Sequence, residues 1–382
     1  MTAGKRVLHR GAPEELRPAE DEQLHPGTVS WSLLAATEQP IAVLGATGYT
    51  GSLVCEQLRE LGLPVRLLGR RREELEQRAQ SDEEIAVADV TDWDSLAEAL
   101  QGAFAVISTA GPFLQRGFAT VDAAITCGVH YLDSSTEQAY SRQIYERFGG
   151  RAAEAGIVLL TAFANAPGDF AAGIAADGLE GPLEDVVVAT EQSGFVFSRG
   201  SRETLAQVLE QPQAAWEDGR LVPSRFGSTT KRVRFPSGEH TVVEWGGPEP
   251  LTVPRHVEVR RVRAYVKAPR VAAATGKLAS RLAPLVRLSA RVGRPGPPPA
   301  KRRKSTCSIV AEATGPGGGR RATLIGRDVY GVAALVLARG VQALRDGEAR
   351  AAGALAPAEA FEPRAFVTRL GPLVQLESLV DL

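Results

Sequence analysis

A short apolar run that leads directly into a glycine-rich turn and a helix constrains this chain most. Residues 41–44 read Ile-Ala-Val-Leu and residues 45–51 read Gly-Ala-Thr-Gly-Tyr-Thr-Gly, after which apolar residues recur on one helical face up to Gly62. The run is typical of a buried parallel strand, and Gly62 is typical of a helix end. Three glycines let the backbone approach a pyrophosphate, while the helix N-terminus offers free N–H groups. We predict a dinucleotide-binding turn, in the variant spacing GxxGxxG, rather than a turn whose glycines serve sterics alone.

Strands and helices alternate over the following hundred residues. Asp92 is placed to cap one of these helices, and another helix is predicted across residues 120–127. Such alternation indicates βαβ units, so the predicted fold class is α/β with a Rossmann-type doubly wound parallel sheet. The further strands of this sheet are predicted at residues 65–68, 85–90, 105–110, 129–133 and 157–161.

Arginines follow the second predicted strand, about 20 positions after the glycine turn, where such folds place the adenosine ribose. An acidic residue there would bind the 2′-hydroxyl of NAD, whereas Arg70 and Arg71 suit a 2′-phosphate. We therefore predict NADP as the cofactor, the alternative being that these arginines cap a surface helix near Glu73. The predicted cofactor-binding residues are Gly45, Thr47, Gly48, Tyr49, Thr50, Gly51, Arg70, Arg71, Asp89, Ser108, Thr109, Gly111, Pro112 and Phe113.

The remaining pattern predicts a second, α+β domain with a mixed sheet beside the nucleotide domain. Its strands are predicted at residues 186–189, 194–197, 232–235, 241–243, 257–266 and 305–313, and an amphipathic helix is predicted over 329–345. The predicted organisation is an N-terminal extension, partly disordered, over 1–38; an NADP-binding domain over 39–165; a substrate domain over 166–325; and C-terminal helices over 326–382.

Several motifs occur in an order and spacing that resemble the saccharopine dehydrogenase-like NADP-binding family, in particular its trans-acting enoyl reductase branch. They include the glycine turn, Ser-Thr-Ala-Gly-Pro-Phe at 108–113, Gly-Val-His-Tyr-Leu-Asp at 128–133 and Gly-Arg-Asp-Val-Tyr-Gly at 326–331. The resemblance implies that the C-terminal stretch returns to pack on the Rossmann domain. The chain departs from the family pattern at Thr136, often a glycine, and at residues 161–164, often Pro-Gly-Phe-Gly.

No catalytic residue is assigned from the sequence. We interpret His130 as a strand-end histidine whose ring is satisfied by hydrogen bonds, in preference to a proton donor. Asp133 and Glu137 are each placed where an acid of the cleft would lie. For Asp133 the alternative is capping of a helix. No lysine occurs between Lys5 and Lys231. A lysine base, a Schiff base or a Tyr-x-x-x-Lys pair is therefore excluded from the nucleotide domain.

Three functions remain open at this stage. The first is NADPH-dependent reduction of an activated C=C bond on a lipid-like or polyketide-like acyl substrate, small or carrier-bound, as the resemblance implies. The second is saccharopine-type C–N chemistry on an amino acid, for which Arg199, Arg202 and Arg255 are available to bind carboxylates. The third is a non-catalytic NADP-binding scaffold.

Charge is distributed unevenly along the chain. Residues 260–304 hold 14 Lys or Arg and no Asp or Glu, within a chain whose net charge is −1. We interpret the segment either as solvated surface or as a docking surface for an acidic carrier protein or an anionic membrane. Its apolar residues at 271–292 follow helical spacing, and Pro284 would kink or divide such a helix. One aromatic residue and no recognisable module argue against nucleic acid. Three scattered cysteines and the lack of a long apolar run indicate a cytoplasmic protein without a structural metal site. If the basic segment binds a membrane, the protein would be peripheral to it. A homodimer is left open.

Overall fold

The computed structural model describes residues 38–268, 283–292 and 295–382. The strands of these ranges are, in chain order, β1 (Ile41–Leu44), β2 (Val65–Gly69), β3 (Glu84–Val87), β4 (Ala105–Ser108), β5 (His130–Asp133), β6 (Val158–Leu160), β7 (Leu183–Ser193), β8 (Gln213–Glu217), β9 (Arg220–Ser224), β10 (Thr230–Phe235), β11 (Gly238–Glu244), β12 (Val259–Val266), β13 (Thr306–Gly315), β14 (Gly318–Arg327), β15 (Gly353–Ala354) and β16 (Val374–Asp381).

Helices cover both sheets and connect their strands. They are α1 (Tyr49–Glu60), α2 (Arg72–Glu76), α3 (Trp93–Leu100), α4 (Phe113–Arg116), α5 (Phe118–Cys127), α6 (Gln138–Gln143), α7 (Gly149–Glu154), α8 (Ala166–Ala176), α9 (Arg199–Glu210), α10 (Glu249–Thr252), α11 (Ala283–Val292), α12 (Pro299–Arg302), α13 (Val329–Arg345), α14 (Pro357–Ala360) and α15 (Pro363–Arg369). A π-helical turn at Ile144–Phe148 follows α6, and 3₁₀ turns lie at Phe163–Asn165 and Val253–Arg255.

The first sheet has the strand order β15-β6-β5-β4-β1-β2-β3, and all its pairs are parallel. Its interior strand β1, between β4 and β2, is fully buried, as its continuous apolar run predicts. The predicted Rossmann-type sheet is confirmed, and Asp92 caps α3 by accepting hydrogen bonds from the backbone N–H groups of Asp94 and Ser95. Strand β3 ends earlier than predicted because the Asp89 carboxylate accepts from Thr91 N at 2.9 Å, which turns the chain out of the sheet.

The second sheet follows the order β10-β11-β12-β7-β13-β14-β16, with β8 pairing to β12 and β9 to β8. The pair β12–β7 is parallel, whereas the others are antiparallel, so the predicted mixed sheet is confirmed. The predicted strand at 194–197 is wrong. Gly194 has φ +64°, which ends β7, and the following Phe195 leaves the sheet and stacks on Tyr330 with ring centroids 5.0 Å apart.

The C-terminal residues divide between the two sheets. Helix α13 packs on α1, and β15 extends the first sheet beside β6. Strand β16 instead pairs with β14 in the second sheet. Only helices were predicted for residues 326–382, so this strand was not predicted. Helix α13 lies close to the nucleotide domain because Gly340 presents no side chain there; a Cβ at this position would lie 2.4 Å from the Phe163 ring.

Two predictions fall partly outside the described ranges. The expected N-terminal extension, 1–38, lies outside them except for its last residue. Residues 271–282 of the expected basic helix also lie outside them. The described remainder of that helix is α11 (Ala283–Val292). Pro284 lies within the described part of α11, beside residues outside the described ranges.

Candidate functional site

Two glycines of the turn between β1 and α1 are required by close approaches of the backbone. Gly45 has φ +86°, and a Cβ there would lie 2.8 Å from Thr109 Oγ1, which itself donates a hydrogen bond to Leu44 O at 3.0 Å. A Cβ at Gly51 would lie 2.1 Å from Gly45 O. The turn therefore holds α1 tightly against β1 and β4, which is the packing that a dinucleotide fingerprint needs.

Gly48 has a different role, because the space beside it is open. It is the N-cap of α1 with φ −75°, it is exposed, and no side chain caps the helix there. A Cβ at Gly48 would meet only Gly45 O, at 3.1 Å. The N-terminus of α1 thus presents backbone N–H groups and the positive end of the helix dipole to an open surface that fits a pyrophosphate.

The arginines after β2 divide between two tasks. Arg71 forms an ion pair with Glu74 at 2.6 Å, at the N-terminal end of α2. Arg70 is exposed and forms no ion pair with any residue in the described ranges. Arg71 therefore belongs to the helix end, as the alternative has it, whereas the role of Arg70 towards a 2′-phosphate stays a prediction.

Asp89 lies at the same edge, after β3. Hydrogen bonds from Thr91 and, to a smaller extent, the guanidinium groups of Arg70 and Arg116 hold the pKa of its carboxyl below the ordinary value. Arg116, which is not among the predicted site residues, lies in α4 directly after the Gly-Pro-Phe loop. Its position there would have been the signal, since that loop borders the cofactor edge of the sheet.

A buried carboxylate holds the loop that leaves β4. Glu137 accepts hydrogen bonds from Phe113 N at 2.9 Å and from Leu114 N at 2.8 Å, satisfying two free N–H groups at the start of α4. The Gly111–Pro112 peptide before it is cis, and the Phe113 side chain is buried against Tyr140 with ring centroids 5.6 Å apart. Glu137 therefore positions the loop, and the Phe113 side chain is turned into the core.

The strand-end residues of β5 serve structure. His130 lies at the start of β5, and its Nδ1 accepts a hydrogen bond from Val158 N at 3.0 Å, which confirms the satisfied strand-end histidine. Burial lowers the pKa of this imidazole. Asp133 caps no helix, contrary to the capping alternative: its Oδ1 accepts from Ser135 N at 2.9 Å and Ala162 N at 2.8 Å, which joins the loops after β5 and β6.

Ser108 is buried at the end of β4, and its carbonyl accepts a hydrogen bond from Ser134 N at 3.1 Å. The loops that follow β4 and β5 are therefore fixed to each other at the carboxyl edge of the sheet. This edge is where an open parallel sheet binds its ligand.

Tyr49 connects the nucleotide turn to the second domain. Its hydroxyl donates to Pro297 O at 2.9 Å, and its ring meets Tyr330 edge-on at 4.9 Å. Gly296 lies directly on this ring, since a Cβ there would be 2.3 Å from it. The side chain of Tyr49 thus fixes the segment around Gly296 beside the turn, a contact that the sequence analysis did not foresee.

A cavity of about 210 Å³ opens beside this contact. Its walls include the apolar side chains of Val196, Phe197 and Pro297, with Arg202 and Lys301 supplying charge. The aromatic row Tyr49–Tyr330–Phe195–Phe197 leads from the glycine turn to it, with successive ring centroids about 5 Å apart. An apolar recess therefore adjoins the predicted nucleotide site.

The arginines considered for a substrate with several carboxylates do not converge. Arg255 pairs with Glu359 at 2.7 Å and donates to Ala354 O in β15, while Arg202 donates to Phe197 O at 2.8 Å. Arg199 is exposed at the start of α9. Within the described ranges we find neither a group of side chains suited to a metal ion nor a helix long and apolar enough to cross a bilayer.

Comparison with known proteins agrees with this geometry. Residues 45–145 match the NAD(P)H-binding family, so the chain carries an NAD(P)H-binding domain and its cofactor is a nicotinamide dinucleotide. The fold resembles that of saccharopine dehydrogenase (L-Glu forming) from Saccharomyces cerevisiae, with a TM-score of 0.61 at 14% identity over 90% of this chain and 100% of that one. Fold and turn together define an NAD(P)H-binding protein with a saccharopine dehydrogenase fold.

Two curated relatives are similar in sequence over part of their length. A lipid droplet localized protein of Caenorhabditis elegans is 29% identical over 185 residues, 43% of each chain. A trans-acting enoyl reductase of Mycobacterium ulcerans is 28% identical over 217 residues, 53% of this chain and 52% of the relative. The chain thus matches about half the length of these relatives, and the resemblance inferred from the motifs is confirmed.

Proposed function

We propose that this protein is an NADPH-dependent reductase that acts on the activated C=C bond of a lipid-like or polyketide-like acyl substrate. The apolar recess beside the nucleotide turn carries the proposal, because an acyl chain needs such walls and an amino acid does not. The similarity to a trans-acting enoyl reductase, and to a relative named for lipid droplets, supports the same substrate class.

The residues of this chain would bind and orient the reactants, and bound NADPH would supply the hydride. The N-terminus of α1 receives the pyrophosphate, and Arg70 receives the 2′-phosphate. Glu137 holds the loop after β4, which would border the bound cofactor. The aromatic row from Tyr49 to Phe197 connects the nucleotide turn with the recess.

C–N chemistry on an amino acid is the second candidate, favoured by the similarity in fold. It requires cations that converge on carboxylates, whereas Arg255 is held by Glu359. An NADP-binding scaffold without turnover is the third.

The deciding assay measures NADPH oxidation against enoyl-thioesters of several chain lengths and against imines of amino acids. We expect turnover of the thioesters, increasing with apolar chain length until the recess is filled. Turnover of imines alone would support the second candidate, and oxidation of NADPH by no substrate would support the scaffold.

Cofactor choice has its own test in the replacement of Arg70 by Ala. A charge-assisted hydrogen bond contributes about 1.5–3 kcal/mol, so NADPH should bind about 10- to 100-fold more weakly while NADH affinity stays unchanged. Arg71→Ala is the matched control, because that side chain already pairs with Glu74. Equal affinity of the unmutated protein for NADPH and NADH would refute the role of Arg70.

A further inference from the structure

Helix α11 exposes apolar side chains on the face turned away from the protein. Ala283 and Ala290 are buried, whereas Leu285 is 64% exposed and Leu288 is 56% exposed. The two leucines are three residues apart, so they lie on one face of the helix. They are the most exposed large apolar side chains among the described residues.

The structure separates the basic residues of 260–304 into paired and unpaired groups. Six of them form ion pairs with acids of the described ranges: Arg260 with Asp218, Arg261 with Asp185, Arg263 with Glu244, Lys267 with Glu191, Arg287 with Glu210 and Arg302 with Asp328. By contrast, Lys301, Arg303 and Lys304 are exposed and have no such partner. Among the basic residues of this segment whose side chains the structure describes, those without an acidic partner therefore lie in and just after α12.

The exposed leucines of α11 and the unpaired cations in and just after α12 are joined by a segment that passes the opening of the recess. Helix α11 runs antiparallel to α9, since Arg287 pairs with Glu210 at one end and Arg199 N donates to Pro295 O at the other. The chain then passes Gly296 and enters α12. Lys301 and the 41% exposed Phe197 line the same cavity.

We propose that α11 and α12 dock the protein on an anionic lipid surface, with Leu285 and Leu288 inserted among the acyl chains and Lys301, Arg303 and Lys304 on the headgroups. An apolar helical face with adjoining cations is the pattern of helices that lie in a membrane interface. An acidic carrier protein would use the cations alone and leave the two leucines in water. This inference rests on the proposed function in one respect: the docked orientation places the recess where a lipid-borne acyl chain can enter it.

Flotation of the full-length protein with vesicles tests the docking without any substrate. The vesicles contain phosphatidylcholine alone or phosphatidylcholine with 30% phosphatidylglycerol. We expect binding to the anionic vesicles that weakens as salt screens the headgroup charge. Leu285→Ser with Leu288→Ser should lower the partition coefficient at least tenfold. Changing Lys301, Arg303 and Lys304 to Gln should lower it about fivefold per residue, roughly 100-fold in all.

Matched controls separate docking from general changes of surface or fold. Val380→Ser removes an exposed apolar side chain on β16, and Lys231→Gln removes a cation that pairs with Glu312. Both variants should float like the unmutated protein. NADPH affinity of all variants reports that the nucleotide domain remains folded.

The outcomes are distinct for the two proposals. Absence of flotation, or equal flotation of the leucine variant, overturns the docking surface even when soluble thioesters are reduced. Salt-sensitive binding of an acyl carrier protein without flotation overturns it in favour of a protein partner. Flotation that depends on the leucines and cations, in a protein that reduces no thioester, supports the docking and refutes the reductase.

Discussion

The buried carboxyl group of Glu249 makes stability depend on pH in a way that one substitution can test. Glu249 is 4% exposed and lies between α8 and the loop before α10. A Cβ at Gly168 would be 2.3 Å from its Oε1, and one at Gly247 would be 2.3 Å from its Oε2, so only glycines leave room for it. Within the described ranges, Oε2 has no hydrogen-bond partner.

Burial, with a smaller contribution from the charge of Asp169, raises the pKa of Glu249 from 4.5 to about 8. Between these two values the folded protein binds a proton that the unfolded chain releases. Stability therefore falls as pH rises through this window, by about 1.4 kcal/mol per unit. The loss reaches about 3 kcal/mol at pH 7 and about 5 kcal/mol above pH 8.

Glu249→Gln removes this titration while keeping the size of the side chain. We expect urea unfolding at pH 5, 6, 7 and 8 to show that the free energy of unfolding of the variant, relative to that of the unmutated protein, increases by about 1.4 kcal/mol per pH unit. Burial lowers the pKa of His256, but the charge of Asp169 and its hydrogen bond with the imidazole together outweigh burial and raise it. The stabilisation that His256 contributes is therefore also lost as pH rises. That loss occurs in both proteins and cancels in their difference.

Glu258→Gln is the matched control, since it removes an exposed carboxylate about nine residues further along the chain. Its pH profile should follow that of the unmutated protein. If Glu249→Gln also gave a parallel profile, Glu249 would be ionised in the folded state, and the argument from burial would be refuted.

Three further substitutions test the nucleotide site. Gly48→Val should abolish NADPH binding in calorimetry with little loss of stability, because its Cβ would meet only Gly45 O; unchanged binding would place the cofactor elsewhere. Gly51→Ala should destabilise the protein itself, since its Cβ would lie 2.1 Å from Gly45 O; a wild-type melting temperature would contradict the close packing. Glu137→Ala should cost roughly 2–6 kcal/mol, because two N–H groups lose their acceptor, and should weaken NADPH binding; intact binding would show that the loop does not border the cofactor.

The nucleotide turn could be predicted from the sequence because its requirements are local. A buried strand, glycines at fixed spacing and an amphipathic helix are set by neighbours within about 20 residues. The same holds for Arg70, which follows β2 directly. Strand ends were less predictable where side chains decide them, as at Asp89, whose hydrogen bond with Thr91 ends β3 early.

The chemical state of the remaining residues was decided only by tertiary structure. Nothing near Glu249 in the sequence indicates its raised pKa, because the glycine and the aspartate that surround it come from α8, about 80 residues earlier. The basic segment reads as one patch, yet distant acids such as Glu184 and Asp185 on β7 neutralise its first part. Local spacing determines where a chain turns, whereas burial and charge depend on which distant residues the fold brings together.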